Sequence, residues 1–247
     1  MNFLIRMAIV ALLGSSCANS APVQTPEETP QVEEEPTNAA SAFLEEFRAE
    51  IEARRTPKLP RLGEDMSTEA VDKRLQEMVD LDQYARNSFN GAMSLGLEPA
   101  EEERVFNEIG MTTMSIDEDH TKELQTFVRA HGWITKSAYG DVASHNAWIL
   151  AQHADMNREF QRYVLDLMGP LVDAGEVNSR NYAYLWDRVA VGTQTPQRFG
   201  TQGQCVGPGE WEPAEMEDPA GVDKRRAEVG LEPMEEYKAK FKEMCGV

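Results

Sequence analysis

Apolar residues recur at helical spacing through most of the chain. Over residues 66–86 a Ser67/Thr68 cap precedes Val71, Leu75 and Met78, a spacing of four and then three that predicts a helix. Asp82 falls on the same stripe, and Arg86 lies one turn later, where it can pair with it. A second helix is predicted over 117–131, with Leu124, Phe127 and Val128 inward and Gly132 as its stop. His120 in its first turn is expected in solvent. His131 in its last turn is favoured there by the backbone dipole. The longest stripe, Val142, Ile149, Met156, Phe160, Val164 and Leu167, predicts one helix over 141–168 that carries Asn146 and His153 on its inward face. Asn178 then caps a helix over 179–191 that contains Tyr182, Leu185, Trp186 and Val189.

Between and beyond these stripes the chain changes character. Residues 193–208 are rich in Gln and Gly, too long for a simple connection, and suited to a functional loop. Two closing helices are expected over 223–228 and 233–244. No segment alternates long enough for a strand, and Ala190-Val191 is the only edge where a short one could start. Residues 41–55 form a leading helix that packs loosely, and 56–65 interrupt without separating domains. The expected fold is therefore mainly α: a single globular helical domain over 66–247, with a long Gln/Gly-rich loop after the fourth core helix.

The first forty residues are of another kind. Arg6, an apolar run over 7–13 and the small residues Gly14-Ser15-Ser16 read as a secretory signal over 1–17, too short for a bilayer span of about 20 residues. Residues 13–17 resemble the lipobox of bacterial lipoproteins. That resemblance implies lipid attachment at Cys17 and a protein of the bacterial cell envelope, facing the periplasm or the exterior. Gly14 departs from the usual aliphatic residue. Cleavage after Ser20, which would give a secreted soluble protein, fits the small residues there as well. Residues 18–40, with their Pro and Glu and no base, read as a disordered spacer. With Cys17 lipidated, Cys205 and Cys245 remain, an even number in an oxidising compartment, and are expected to form a disulfide.

The formal net charge of -19 repels nucleic-acid backbones, so the expected partners are a membrane surface, reached through the lipid, and an envelope peptide or glycan.

Three motifs stand in order. They are Gln152-His153-Ala154-Asp155, then Asp187-Arg188-Val189, then Gln197-Arg198-Phe199-Gly200-Thr201-Gln202. With Asp82-Gln83 and Arg86 before them, His131-Gly132-Trp133 between, and Asp218-Pro219, Arg225-Arg226 and Tyr237 after them, they resemble a bacterial family of unknown function over about residues 66–237. The resemblance brings no activity, but it implies that polar residues from separate segments share a site. In that site His153 is the candidate general acid or base, with Asp187 or Asp82 to orient it. Gln152, Asp155, Arg188, Gln197 and Gln202 are candidate ligand-binding residues.

No nucleophile elbow, phosphate loop or dinucleotide fingerprint is present. The histidines form no i,i+4 pair, and His145 and His153 stand about 12 Å apart along a helix. Neither a metal nor a cofactor is expected. Three readings stay open: a hydrolase or lyase using His153; a module that binds through the Gln-rich turn and exposed aromatics such as Trp211; and a buried polar network that fixes helix register.

Overall fold

The Ser67 side chain accepts from the Ala70 N–H and starts α2 (Thr68–Met93), which runs a full turn and more beyond the expected end at residue 86. In the computed structural model the described residues are 38–246. The expected signal, Cys17 and most of the expected spacer lie outside them.

Asn38 caps α1 (Ala39–Arg55). Leu44, Phe47 and Ile51 of α1 are buried against Leu81 and Ala85 of α2. Each such side chain adds up to about 2 kcal/mol, so α1 is a fixed part of the packing rather than a loose leader.

α3 (Pro99–His131) is far longer than the helix expected over 117–131. Pro99 at its first position and the acids Glu101 and Glu102 in its first turn are helix-start signals. Val105, Ile109 and Ile116 carry the buried stripe. A second core lies where α2 and the C-terminal half of α3 meet three more helices, around Leu75, Met78, Phe127, Leu150 and Phe160.

The helix expected over 141–168 is two helices, α4 (Lys136–Gln152) and α5 (Arg158–Val172). Gly140, at φ 89°, kinks the first turn of α4. The break at 153–157 has identifiable partners. The buried Gln161 side chain donates to the last carbonyls of α4, those of Ala151 and Gln152, both at 3.1 Å. Asn157 accepts from the Phe160 N–H at 3.0 Å and starts α5. His153 is therefore a C-cap residue and not mid-helix, and Val142 and Met156 face solvent instead of the core.

α6 (Ser179–Gly192) begins at the Asn178 cap and packs along α5. It includes Ala190 and Val191, so no strand starts there. The Gln/Gly-rich stretch instead leads into an antiparallel hairpin, β1 (Gly203–Gly207) with β2 (Glu210–Pro213), that helical periodicity did not signal.

Trp211 of β2, expected to be exposed, is buried, stacked on Phe241 at 4.7 Å and edge-on to Tyr237 at 5.6 Å. α7 (Val222–Glu228) and α8 (Met234–Ala239) close the chain, and a disulfide joins Cys205 to Cys245. The fold is mainly α with one small sheet. Among the described residues no helix is long and apolar enough to cross a membrane.

Candidate functional site

Ending α4 at Gln152 turns the His153 ring towards α2. Its Nδ1 lies 2.9 Å from Asp82 Oδ1, and the Asp82 side chain is only 1 % exposed. Gln83 Nε2–H donates to the other carboxylate oxygen at 2.7 Å, and Arg86 Nε–H donates to Oδ1 at 3.2 Å. Burial opposes ionisation of Asp82, but the hydrogen bond and charge of His153, with the charge of Arg86, hold its carboxyl down at about 2. A carboxylate only accepts, so the facing Nδ1 carries the imidazole proton. Arg86 Nε–H is aimed at both atoms, 3.1 Å from Nδ1 and 3.2 Å from Asp82 Oδ1; with the imidazole proton on Nδ1, only the carboxylate can accept it.

Arg86 also reaches α3, where its Nη2–H donates to Asp117 at 2.6 Å. Burial, reinforced by the negative charge of Asp82, pushes the Asp117 carboxyl up to about 7 against the pull of Arg86. Burial likewise lowers His153 below its ordinary range, against the pull of Asp82. The imidazole is thus neutral at neutral pH. Its lone pair is on Nε2, which has no hydrogen-bond partner among the described residues.

The ring lines a cleft of about 550 Å³ between α3 and the α4–α5 turn, which Asp117 and Thr121 also line. Met111 and Met156, 74 % and 76 % exposed, stand at its rim with Met114. These side chains are flexible and polarizable, suited to apolar groups of varied shape.

Donor atoms of Asp82, Asp117 and His153 all lie within 4.8 Å of one another, a set of the kind that holds a divalent cation. Here Arg86 donates to both carboxylates, so a guanidinium already supplies the positive charge that this set faces.

The Gln152 to Asp155 motif builds the turn that presents His153. Asp155 accepts from Arg188 of α6 through both of its oxygens, with Nε at 2.8 Å, and from Arg158 at 2.8 Å. Asp155 and Arg188 thus tie the turn to α6, and neither bonds to the His153 side chain. Gln152 is buried, with its Oε1 unpartnered, and does not line the cleft.

The remaining motif residues lie elsewhere. Asp187, with no exposure, accepts from the N–H groups of Arg198, Phe199 and Thr201 at 2.9, 3.0 and 2.8 Å, and from the Thr201 hydroxyl at 2.9 Å. Asp187 therefore organises the Gln-rich turn and does not orient His153. Asp82 does.

Gln197 is buried as well, and its Nε2 donates to the carbonyls of Gln202 and Ala214 at 2.8 and 2.9 Å. Gln202 is half-buried, and its Nε2 donates to Thr201 Oγ1 at 3.2 Å. Gly200 takes φ 67°, and an added Cβ there would meet Met234 at 2.2 Å. Arg226, also buried, donates to the Phe199 carbonyl at 2.6 Å. The turn is a packed structural lock, and none of it lines the His153 cleft.

Asp117 and the methionine rim went unseen in the sequence. Asp117 sits in an acidic run with Glu118 and Asp119 that reads as a solvated face.

Fold and site define a mainly α protein in which an imidazole, backed by a buried carboxylate, lines a methionine-rimmed cleft. The chain belongs to a family of unknown function (DUF6624), whose model matches residues 71–247. No curated protein and no solved structure matches it.

Proposed function

We propose that this is an exported bacterial lipoprotein whose Asp82–His153 pair is a general base, hydrolysing a small acyl amide or ester that carries an apolar group. The single observation behind the chemistry is the 2.9 Å contact of Nδ1 with a buried carboxylate, which leaves Nε2 as a lone pair on the cleft. Nε2 takes a proton from water while the water oxygen bonds to the acyl carbon. The acyl C–N or C–O bond then breaks, and the imidazolium returns the proton to the leaving amine or alcohol. Asp82 stabilises the imidazolium in between. The methionine rim favours an apolar side chain or acyl group over a glycan.

Export rests on the lipobox-like run ending at Cys17 and on the Cys205–Cys245 bridge, a pairing typical of oxidising compartments. A lipid at Cys17 would hold the domain at a membrane surface.

A screen of aminoacyl amides and short acyl esters tests the activity. His153→Gln should lower turnover by about 10²- to 10⁴-fold while the protein stays folded. Turnover equal to wild type in that variant contradicts the reading. Binding without turnover is a second reading, favoured by one observation: among the described residues no side chain lining the cleft is bonded to His153 Nε2 as a nucleophile would be. It predicts that an apolar peptide amide is retained unchanged and that His153→Gln releases it. Mass spectrometry of the mature protein tests the anchor, with a lipidated Cys17 expected and an unmodified Ala21 start contradicting it.

A further inference from the structure

A second cavity, of about 210 Å³, lies on the other flank of the same stretch of α3, between the end of α1, the connection to α2, and α2 itself. Asp117 faces the His153 cleft, and His120, one turn on, lines this second cavity. In a chain of net charge -19 its wall is unusually basic: Arg54, Arg55, Arg61, Arg74 and Lys122 against three carboxylates.

Those carboxylates are already held. Arg74 takes Glu77 at 2.5 Å and Glu123 at 2.8 Å, and Arg55 takes Asp119 at 2.9 Å. Lys122 and Arg54 form ion pairs only with Glu118 and Glu50, one turn away on their own helices and in solvent, where such pairs contribute little, and the Arg54 guanidinium also lies 4.5 Å from the centre of the Tyr84 ring. The Arg61 side chain has no ion pair or hydrogen bond among the described residues.

His120, expected in solvent, is 7 % exposed. Its Nδ1 is sealed from solvent without a partner. Burial holds the ring neutral, down at about 4. The enclosed Nδ1 best bears the lone pair, because a stranded N–H is the less tolerated orphan. The single proton is then on Nε2, on the side of the ring that reaches the cavity. A neutral N–H donor and an unpaired guanidinium lining one cavity are the equipment of an oxyanion site.

We propose that this cavity binds a small oxyanion of the phosphate type, with Arg61 and Arg54 supplying charge and His120 Nε2–H supplying a directed hydrogen bond. The site shares only Lys122 with the His153 cleft and stands or falls independently of its chemistry. A phosphate group fits the volume, and Arg74, saturated by its two glutamates, forms the back wall without contributing net charge.

Isothermal titration of the full mature protein with inorganic phosphate tests it, with glycerol phosphate as the probe for an esterified group. Arg61→Ala should weaken phosphate binding at least about tenfold, the loss of one charge-assisted contact. His120→Phe should weaken it without altering the exposed salt dependence, and Arg162→Ala, at an exposed arginine of α5, should leave it unchanged. Tighter binding of glycerol phosphate than of inorganic phosphate would identify an esterified ligand. No binding of either probe overturns the proposal. So does wild-type affinity in Arg61→Ala, an exposed substitution that should not disturb folding.

Discussion

Replacing Asp82 by Asn keeps the shape of the side chain and removes its charge, which separates a working carboxylate–imidazole pair from mere packing. The Asp82 carboxyl is lowered from 3.8 to about 2. Just under two pKa units correspond to about 2 kcal/mol of preference for the ionised form. A folded-state pKa below the unfolded one gives stability that is complete above 3.8 and lost as pH falls through about 2. The variant should therefore be less stable by about 2 kcal/mol at neutral pH, a shift of about 1 M in urea midpoint for an m-value near 2 kcal/mol/M. Asp117 offsets part of this: freed from the charge of Asp82, which raises it, it ionises more readily beside Arg86. About 2 kcal/mol is thus an upper figure. Urea unfolding of both proteins at pH 7, 5 and 3 measures the difference, which should be fullest at pH 5, where Asp117 keeps its proton, smaller at pH 7, and smaller again at pH 3. Equal midpoints at pH 7, or a difference that persists undiminished at low pH, would refute the reasoning.

Asp187→Asn should cost about 3 kcal/mol or more by thermal unfolding, because one amide oxygen cannot serve four donors, and it should leave the titration of His153 unchanged. Cys205→Ser should cost about 4 kcal/mol for a bridge spanning 40 residues, and a reductant should destabilise the wild type by a similar amount while leaving the variant unaffected.

How far the sequence could be read depended on which interaction ended each element. α2 and α6 were legible because Ser67 and Asn178 announce their starts and one clean apolar stripe follows each. The break after Gln152 was hidden, because Phe160 and Val164 continue the helical step of Ile149 and the residues that stop α4 act through tertiary contact. Gln161 reaches back nine and ten residues to the carbonyls it caps.

Asp82 was visible as a carboxylate on an apolar stripe with Arg86 one turn away, and that pair is present. Asp187 and Gln197 looked like site residues for the same reason that they are not. A buried turn that must satisfy its own backbone needs polar residues from distant segments just as a ligand site does. Only contacts in space separate the two, and they assign His153 to the cleft, with Asp82 behind it, and Asp187 and Gln197 to the lock. The hairpin at 203–213 was missed because Trp211, not alternation, anchors it.

The central claim is that His153 presents a bare Nε2 to the cleft while Asp82 holds the proton on Nδ1. Long-range ¹H–¹⁵N spectra of the imidazole at pH 7 read this tautomer directly. The account predicts a protonated Nδ1, an unprotonated Nε2, and a midpoint for the ring below the ordinary histidine value, lowered further in Asp82→Asn. A ring protonated on Nε2, or one whose titration does not respond to loss of the Asp82 charge, would contradict it.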